Sequence, residues 1–567
     1  MATACDIHPV IARLLVNRGV DTASGIREFL NPSLASLHDP YLLKGMEAAV
    51  QRIRQAIDNS EKIVVYGDFD VDGTVSTTLL MLLFRLLGAN ADFYIPRRME
   101  EGYGLNVPAI ARLRKAGCTL LVTVDNGITA VAEVQSARSL GMDVIITDHH
   151  VAGEHLPSAR AIVNPKQPGC TYPHQNLAGV GVAFKLVWGI AESYGFARRL
   201  GDEFNRFLEN ALGMVCIATI ADVVPVIGEN RVFVSYGLQA LPRVTNPGIR
   251  ALIDICNLGG QPLDTSHIGF RLAPRLNAGG RLGHEDLGVR MMLSSGYADA
   301  LKLAEEMEAE NKQRQDIERE ITALARQQVL DTIDLQHTTV IVIASEDWHP
   351  GVIGIVSSRL SEEFYRPTVT IALRGRTGRG SARSIPNFSI YKALATCEDL
   401  FISFGGHDFA AGLEIHRDDI DDLRLRLNAA AGDLLQPTTL HPSLNLDGIL
   451  GPHDLTPGLV RQIEQLAPHG ESNPLPLFAT PPVEVAGRPR LVGKSDQHVS
   501  FFVREPGRPD DQPVRAIAFH HPAWAAMLSE RGGLFRIAYQ PRMNRSNRSS
   551  FNGQVEMVVK DIHPAAD

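Results

Sequence analysis

Residues 63–73 read Ile-Val-Val-Tyr-Gly-Asp-Phe-Asp-Val-Asp-Gly, an apolar run that is followed at once by three carboxylates. The run predicts a buried strand, and the apolar stretch that comes next predicts a helix. In an open parallel sheet, ligands bind at the edge where the strands end and the helices begin. We therefore expect Asp68, Asp70 and Asp72 to lie at such an edge.

The same alternation of strand and helix continues to about residue 162. Short, mostly apolar runs predict strands that are buried on both faces, and the segments between them have helical spacing. We therefore predict a parallel sheet covered on both sides. The predicted strands are Ile63–Tyr66, Ala91–Ile95, Leu120–Val124 and Val144–Thr147, and the predicted helices are Thr74–Leu87, Val107–Ala116 and Thr129–Leu140.

Acids and histidines also follow the later strands. Asp125 follows the third strand, and the Asp-His-His run of residues 148–150 follows the fourth. Asp222 comes after the apolar stretch Gly213–Ile220. Carboxylates at one edge repel one another and raise one another's pKa unless a cation compensates their charge. The pattern therefore predicts a cation site.

The mixture of ligand types indicates which ion fits. Carboxylate oxygens with a neutral imidazole suit Mn²⁺ or Mg²⁺, and an aspartate shared by two ions would give a two-metal site for phosphodiester hydrolysis. The acidic run also resembles the start of a calcium loop, but that loop needs a glutamate where this chain has Leu79. Taken singly, Asp125 fits an ordinary turn and Asp222 fits a helix end, so the prediction depends on the joint placement of the acids.

Downstream, the sequence predicts two further units joined by a helix. The charged segment Tyr297–Leu330 has strong helix formers and no internal glycine or proline. A second α/β unit follows, with strands at Val340–Ala344 and Thr368–Leu373 around a helix at Gly351–Phe364. After about Asp433, Pro-rich loops and short β-prone runs are typical of a small barrel or sandwich. These runs are His498–Arg504, Val514–Phe519, Leu534–Tyr539 and Gln554–Val559.

Composition excludes several classes of protein. A chain of 567 residues that is 44% hydrophobic is too long for one core, and its apolar stretches are too short to cross a bilayer. The six cysteines form no C-x-x-C pair, and the N-terminus lacks the pattern of a secretory signal. We expect a cytosolic protein without membrane association. The net charge of -9 requires that any nucleic-acid path be local.

Local basic segments do occur. The stretch Arg374–Ser384 combines guanidiniums, hydroxyls and glycines, which are the components of a phosphate-binding loop, although a solvated basic loop has the same composition. Arg97 and Arg98 precede Tyr103, which could stack on a base or fill the core of a turn. A second basic group near the C-terminus comprises Arg536, Arg542, Arg545 and Arg548.

Four short motifs of the sequence resemble those of a known enzyme family. In order and spacing, Gly67–Gly73, Val124–Gly127, Asp148–His150 and Ala221–Pro225 resemble the acidic motifs of the DHH phosphoesterases. Further stretches resemble the RecJ branch of that superfamily over nearly the whole chain, namely Leu177–Gly181, Arg275–Arg281 and Trp348–Gly351.

The resemblance implies a multi-domain α/β architecture. A parallel-sheet DHH phosphoesterase domain would be joined by the long helix to a smaller α/β DHH-associated domain, followed by a C-terminal β-barrel of the OB-fold type. The expected boundaries are 1–45 for an N-terminal segment, 46–245 for the DHH domain, 246–334 for the helical connector, 335–433 for the DHH-associated domain and 434–567 for the OB-fold.

The resemblance also assigns the catalytic residues. Asp72, Asp125, His149 and Asp222 would hold one metal, while Asp70 and the bridging Asp125 would hold the other. Asp68 would complete or support this cluster, and His150 would lie beside the scissile phosphate as a hydrogen-bond donor or electrostatic stabiliser. The resemblance implies no side-chain nucleophile, because two Mn²⁺ or Mg²⁺ ions would supply the means of activating water.

The DNA-binding residues follow from the same resemblance. The Gly405-Gly406-His407 motif adds His407, which could instead be a buried packing residue. Phe501, Phe502, Phe519 and Tyr539 of the barrel suit base stacking, but most of them should lie inside. The full expected set is Arg97, Arg98, Tyr103, Arg281, Arg379, Ser381, Arg383, Ser384 and His407.

The function implied is that of a single-stranded-DNA-specific 5′ to 3′ exonuclease that releases 5′-mononucleotides in DNA repair and recombination. One alternative is a DHH phosphoesterase for short oligonucleotides or cyclic dinucleotides, which would lack the barrel. The other is a non-catalytic replication scaffold, which would have lost the acidic motifs. The expected partner is single-stranded DNA, with a single-strand-binding protein and a helicase as further candidates, and the chain is expected to be a monomer.

Overall fold

A five-stranded sheet forms the centre of the first unit. The structure is a computed structural model that describes residues 2–195, 201–435, 440–529, 533–545 and 553–565. All strands of this sheet are parallel, in the order β2-β1-β3-β4-β5. They comprise β1 Lys62–Tyr66, β2 Ala91–Tyr94, β3 Cys118–Val124, β4 Asp143–Thr147 and β5 Ala161–Val163. The four predicted strands are confirmed, whereas the short β5 was not predicted.

Helices cover both faces of this sheet. Alternate residues of β1 point to opposite sides, so that Ile63 and Val65 join one apolar cluster while Val64 and Tyr66 join another. The helix Val71–Leu86 is buried along most of its length between β1 and its neighbouring helices. The other helices of this unit are Met46–Asp58, Val107–Lys115, Val131–Ser139, Gly179–Ser193, Asp202–Ala221 and Gly228–Ala240.

A long helix joins the first unit to the second. Tyr297–Thr332 confirms the predicted helix and ends two residues later than expected. Its first half places Ala300 and Met307 in the core of the first unit, and its second half places Ile321 and Val329 in the core of the second. The helix therefore fixes the spacing between the two units. Shorter helices precede it at Pro247–Ile255, Ala273–Leu282 and Leu287–Met292.

The second unit is a mixed sheet in the order β6-β7-β8-β10-β9. Its strands are β6 Ile341–Ser345, β7 Thr368–Arg374, β8 Thr377–Arg383, β9 Phe401–His407 and β10 Ala410–His416. β6 and β7 are parallel and the other pairs are antiparallel. Its helices are Ile353–Phe364, Ile390–Ala395 and Ile420–Leu434.

The expected phosphate-binding loop at Arg374–Ser384 is wrong in its secondary structure. A tight turn at Gly375 leads into β8, which pairs with β7 on one side and β10 on the other. Arg379, Ser381 and Arg383 alternate with Gly380 and the buried Ala382, so the polar side chains share one face of the sheet. The glycines lower the β-propensity of this stretch and so conceal the alternation.

The C-terminal unit is a closed five-strand barrel, formed by β17-β13-β15-β16-β18 with β18 pairing back to β17. The predicted strands are confirmed, and the last two are longer than expected. Helices Pro9–Asn17 and Ala23–Leu30 from the start of the chain pack into the barrel's core. The strands are β11 Gly448–Ile449, β12 Phe478–Ala479, β13 Val483–Val485, β14 Arg490–Val492, β15 His498–Arg504, β16 Val514–Phe519, β17 Leu534–Met543 and β18 Val555–Pro564.

One buried arginine connects the first unit with the barrel. Arg231 is 2% exposed and donates hydrogen bonds to the carbonyls of Phe29, Leu466, Ala467 and Pro468. Its guanidinium also lies 3.8 Å from the centre of the Phe29 ring. The N-terminal helices, the first unit and the barrel therefore meet at this side chain. Across the described ranges, no helix is long and apolar enough to span a bilayer.

Candidate metal centre

The acids and histidine predicted at the sheet edge lie together. Nε2 of His149 is 3.1 Å from Oδ1 of Asp125, 3.7 Å from Oδ2 of Asp222 and 3.9 Å from Oδ2 of Asp72. Ligand atoms of Asp68, Asp70 and Asp125 form a second group within 4.8 Å of one another. Asp125 takes part in both groups, so the arrangement has room for two ions with one shared carboxylate.

Backbone geometry fixes these carboxylates. Asp70 caps the helix Val71–Leu86, with Oδ1 accepting a hydrogen bond of 3.0 Å from the Gly73 amide. Asp72 accepts hydrogen bonds of 2.6 and 2.7 Å from the amides of Gly179 and Val180, where another helix begins. Asp125 adopts a left-handed backbone conformation with φ 61°, a form of strain that is concentrated at functional sites.

Gly179 explains why the Leu177–Gly181 stretch contains glycine. A Cβ atom at this position would lie 2.8 Å from Oδ1 of Asp125 and 2.9 Å from Oδ2 of Asp72. Both distances are shorter than any normal contact of a Cβ atom. Only glycine therefore allows the start of the helix to approach the two carboxylates.

The electrostatics of the cluster favour a bound cation. Burial, together with the neighbouring carboxylates, raises the pKa of Asp72 to about 7 and raises the pKa values of Asp68, Asp125 and Asp222 well above their usual range. Burial also lowers the pKa of His149 to about 3, which keeps its imidazole neutral and able to bind a metal. Bound divalent ions would compensate the negative charge and allow every acid to ionise.

Unsatisfied polar atoms point to the same conclusion. Oδ1 of Asp68, Oδ1 of Asp125, Oδ2 of Asp222 and both ring nitrogens of His149 are buried and make no hydrogen bond within the described residues. Buried polar groups without partners are rare, and ligation of an ion is one established explanation. The residues present therefore fit a divalent metal centre.

His150 lies beside the metal ligands and is held by an acid that the sequence analysis did not assign. Nδ1 of His150 is 2.7 Å from Oδ1 of Asp148, which also accepts the amide hydrogens of both histidines. Burial alone would lower the pKa of His150, but the Asp148 carboxylate raises it. His150 could also complete a metal group with Asp125 and His149. The adjacency of Asp148 to the two histidines was the available signal for its role.

Tyr103 contacts the same side of the cluster. Its hydroxyl donates a hydrogen bond of 3.0 Å to the Asp125 carbonyl and lies 3.3 Å from Nδ1 of His150. Tyr103 is 54% exposed, so the alternative that it fills the core of a turn is wrong. A stacking role remains a prediction.

Arginines from both α/β units gather near the metal centre. Arg98 lies over the Phe69 ring at 4.9 Å. Burial lowers the pKa of Arg383, and the nearby positive charge of Arg98 lowers it further. Burial also lowers the pKa of Arg281 to about 9, together with repulsion from Arg98, Arg314 and Arg383. Such mutual repulsion is relieved when an anion binds. Arg97 is exposed and pairs with Glu100, and no interaction within the described ranges joins it to this group.

Three of the expected DNA-binding residues, Arg281, Ser381 and Arg383, surround the start of a helix. Nη1 of Arg383 donates to Oγ of Ser381 at 3.1 Å, and both side chains pack against Gly354 in the first turn of helix Ile353–Phe364. Arg281 donates a hydrogen bond of 3.1 Å to the carbonyl of Gly351, just before this helix. Arginine donors at a helix N-terminus favour phosphate binding.

The remaining predicted DNA contacts are less uniform. Ser384 is less available, because its hydroxyl donates to the Phe388 carbonyl at 2.6 Å. His407 is exposed, so the alternative of a buried packing residue is wrong. In the sheet register, Ala410 pairs with both Arg383 and His407, which places His407 on the arginine face. Arg379 is exposed and approaches Met99 of the first unit.

The barrel offers fewer free contacts than its sequence suggested. Phe501 and Tyr539 are buried in the core, whereas Phe502 and Phe519 are half-buried. Arg542 pairs with the buried Glu556 and lies 5.7 Å from the Phe519 ring. Arg545 pairs with Glu464, and Arg548 lies outside the described residues.

Comparison with known proteins places this geometry in context. The profile of the "DHH family, N-terminal domain" matches residues 62–219, that of the "DHHA1 domain" matches 337–433 and that of the "RecJ OB domain" matches 446–561. The single-stranded-DNA-specific exonuclease RecJ of Escherichia coli strain K12 is 37% identical over 490 residues, which cover 83% of both chains. The RecJ of Bacillus subtilis is 41% identical over 504 residues, and the match spans 88% of this chain but 62% of that protein.

Solved structures of RecJ proteins have the same fold as this chain. The crystal structure of RecJ in complex with Mn²⁺ from Thermus thermophilus matches with a TM-score of 0.81 and 29% identity, covering 100% of this chain and 77% of that one. A crystal structure of exonuclease RecJ bound to manganese matches with a TM-score of 0.61 and 33% identity, covering 72% of this chain and 98% of that one.

Proposed function

The chain belongs to the RecJ family of single-stranded-DNA-specific exonucleases, and we propose that it hydrolyses single-stranded DNA from the 5′ end and releases 5′-mononucleotides. The observation that carries the mechanism is the position of Asp125, whose Oδ1 lies 3.1 Å from Nε2 of His149 and which also belongs, with Asp68 and Asp70, to a group of residues that could hold a metal ion. One ion would be held by Asp72, Asp125, His149 and Asp222, and the other by Asp68, Asp70 and Asp125.

Two Mn²⁺ or Mg²⁺ ions bound there would supply Lewis acidity and lower the pKa of the attacking water. The protein contributes the geometry. The amides of Gly179 and Val180 hold Asp72, and Gly73 holds Asp70, so both carboxylates are oriented before substrate arrives.

His150 is the proposed partner of the scissile phosphate. Asp148 engages its Nδ1 and raises its pKa against the effect of burial, so Nε2 can present a proton to a phosphate oxygen. Asp148 is thus a positioning residue. Tyr103 supports this arrangement through its hydrogen bond to the backbone of Asp125.

The arginine group supports recognition of a strand end. A terminal phosphate carries more charge than an internal one, and Arg383, Ser381 and the start of helix Ile353–Phe364 can surround it. Arg281, Arg98 and Arg379 would hold the phosphates nearer the metals. A pocket one nucleotide from the ions would place the first phosphodiester for attack and release single nucleotides in succession.

Two alternatives have less support. An enzyme for short oligonucleotides or cyclic dinucleotides would not need the barrel, which matches the RecJ OB domain. A scaffold would not need the acidic cluster, and every predicted metal ligand is present and lies in it. A single-strand-binding protein and a helicase as partners, the monomeric state, a cytosolic location and a role in DNA repair and recombination remain predictions.

The proposed direction can be tested with strands labelled at either end. With Mn²⁺ or Mg²⁺ present, a 5′ label should appear at once as a mononucleotide, while a 3′ label should remain on progressively shorter strands. Early release of a 3′-terminal mononucleotide would contradict the proposed polarity, and cleavage of duplex DNA at an equal rate would contradict the single-strand specificity.

A further inference from the structure

The turn that follows β5 brings a lysine to the sheet edge where the metal ligands lie. β5 pairs with β4 so that Val163 lies beside Thr147, and the Asp148 amide donates a hydrogen bond of 3.1 Å to the Val163 carbonyl. The two strands are parallel and end at the same edge, so the residues after Val163 run beside residues 148–150. Lys166 is the third of these residues.

Asn164 fixes this turn against His150. Its side chain is fully buried, and Nδ2 donates a hydrogen bond of 3.0 Å to the His150 carbonyl. Oδ1 of Asn164 accepts a hydrogen bond of 2.7 Å from the Lys166 amide. Gln167 holds the other end of the turn, because its side chain donates to the Ile162 carbonyl at 2.7 Å. One asparagine therefore ties the backbone of Lys166 to that of His150.

The ammonium group of Lys166 makes no direct ion pair. The residue is half-buried, and within the described ranges its side chain forms no salt bridge and no hydrogen bond. Burial lowers the pKa of Lys166, and the carboxylates of Asp222 and Asp148 oppose that effect. Charges that are partly removed from water are normally paired, so this cation is suited to an anionic ligand.

Cations act on the acidic cluster from two sides. Arg98, a member of the arginine group described above, acts on Asp68 and Asp70, whereas Lys166 acts on Asp222. Asp68 and Asp70 belong to one group of metal-binding residues, and Asp222 belongs to another. A phosphate that spans two ions would therefore have arginine on one side and Lys166 on the other.

We propose that Lys166 is a catalytic residue whose ammonium group contacts a non-bridging oxygen of the scissile phosphate, on the side of the metal centre opposite the arginine group. Negative charge increases on these oxygens as water attacks, and a preorganised cation at that position stabilises it. The inference rests on the proposed function, because it takes a phosphodiester at the metal centre as the substrate. It adds to the catalytic set a residue outside the acidic motifs.

The test compares the binding of two 5′-phosphorylated single strands whose first linkage resists hydrolysis. In one strand this linkage is a 3′-methylenephosphonate, which keeps the negative charge, and in the other it is a neutral methylphosphonate. Affinities are measured by fluorescence anisotropy with Mn²⁺ present, for the wild type, Lys166→Gln and Lys166→Arg. Lys302→Gln is the matched control, since it removes the same charge from a side chain that is 78% exposed on helix Tyr297–Thr332.

The wild type should bind the charged strand more tightly than the neutral strand. Lys166→Gln should shrink this ratio of affinities by about 10-fold, because one charge-assisted contact is lost. Lys166→Arg should keep most of the ratio, and Lys302→Gln should keep all of it. On an unmodified strand, the single-turnover rate should fall by about 100-fold in Lys166→Gln and should stay unchanged in Lys302→Gln.

An unchanged ratio in Lys166→Gln would overturn the proposal. So would a change confined to the affinity for Mn²⁺, which is the result expected if Lys166 acts only on Asp222. The proposed function fails separately, if the wild type discriminates between the two linkages at the 3′ end of the strand and not at the 5′ end. The Lys166 comparison is then made at the 3′ linkage and still decides the role of this residue.

Discussion

Arg383→Ala is the substitution that tests how the enzyme recognises a strand end. Arg383 is half-buried, it donates to Oγ of Ser381, and it packs against the first turn of helix Ile353–Phe364. If this is a terminal-phosphate pocket, the guanidinium contacts a charge that a 5′-hydroxyl strand does not carry. The substitution should therefore slow degradation of 5′-phosphorylated strands far more than degradation of 5′-hydroxyl strands.

The size of the selective loss follows from the structure. A hydrogen bond to a charged group is worth about 1.5 to 3 kcal/mol, which corresponds to roughly 10- to 150-fold in kcat/KM. Arg98 and Arg281 remain nearby and retain part of the attraction. We therefore expect the preference for the 5′-phosphate to shrink by about 10- to 100-fold, with a change of only about 0.7 in the salt slope for single strands.

Arg376→Ala is the matched control, since Arg376 is exposed at the turn that begins β8 and its replacement removes the same charge. Initial rates on the two substrates are measured at one salt concentration for both variants. Arg376→Ala should slow both substrates equally and slightly. If Arg383→Ala does the same, the residue belongs to a general basic surface and the proposed pocket is refuted.

Packing around the site and the barrel leads to three more predictions. Gly179→Ala should lower kcat by about 100-fold, because the added Cβ atom would displace Asp125 and Asp72. In the control variant Gly181→Ala the added Cβ atom would contact only the side chain of Leu177, so its single-turnover rate should stay close to that of the wild type. Asp148→Asn should reduce activity by about 10- to 100-fold with unchanged thermal stability, because the substitution misaligns His150. A variant as active as the wild type would show that Asp148 does not position His150. Arg231→Met should lower the free energy of unfolding of the barrel by about 3 kcal/mol, because carbonyls of Phe29 and of residues 466–468 lose a buried donor. A denaturant titration in which unfolding of the barrel is monitored by proteolysis measures this loss. An unchanged denaturant midpoint of unfolding would contradict the prediction.

Local sequence patterns predict those helices and strands that depend on hydrophobic runs and on helix propensity. The apolar runs of β1, β3 and β4 predicted buried parallel strands, and the glycine-free segment Tyr297–Leu330 predicted the long helix. The acids at the strand ends predicted the cluster, because parallel strands end at one edge of a sheet.

Other features depend on contacts between residues far apart in the sequence. The glycines of β8 weaken its strand pattern, so the sequence predicts a loop there, whereas pairing with β7 and β10 makes the segment a strand. The sequence of the N-terminal helices does not indicate that they pack into the barrel's core, which depends on contacts with residues more than 400 positions away. Asp148 could have been assigned to His150 from adjacency, but its hydrogen bonds decide the role.

The proposed mechanism depends on Asp125 as the one carboxylate that two metal ions would share. It is tested most directly by counting bound Mn²⁺ per chain, by equilibrium dialysis with electron paramagnetic resonance, in the wild type, in Asp70→Ala and in Asp125→Ala. We expect two ions in the wild type, one in Asp70→Ala, and in Asp125→Ala the loss of both tight sites and a fall in rate of at least about 1,000-fold, while single-strand binding in EDTA is kept. An Asp125→Ala protein that still binds two ions and cleaves at a near-normal rate would contradict it.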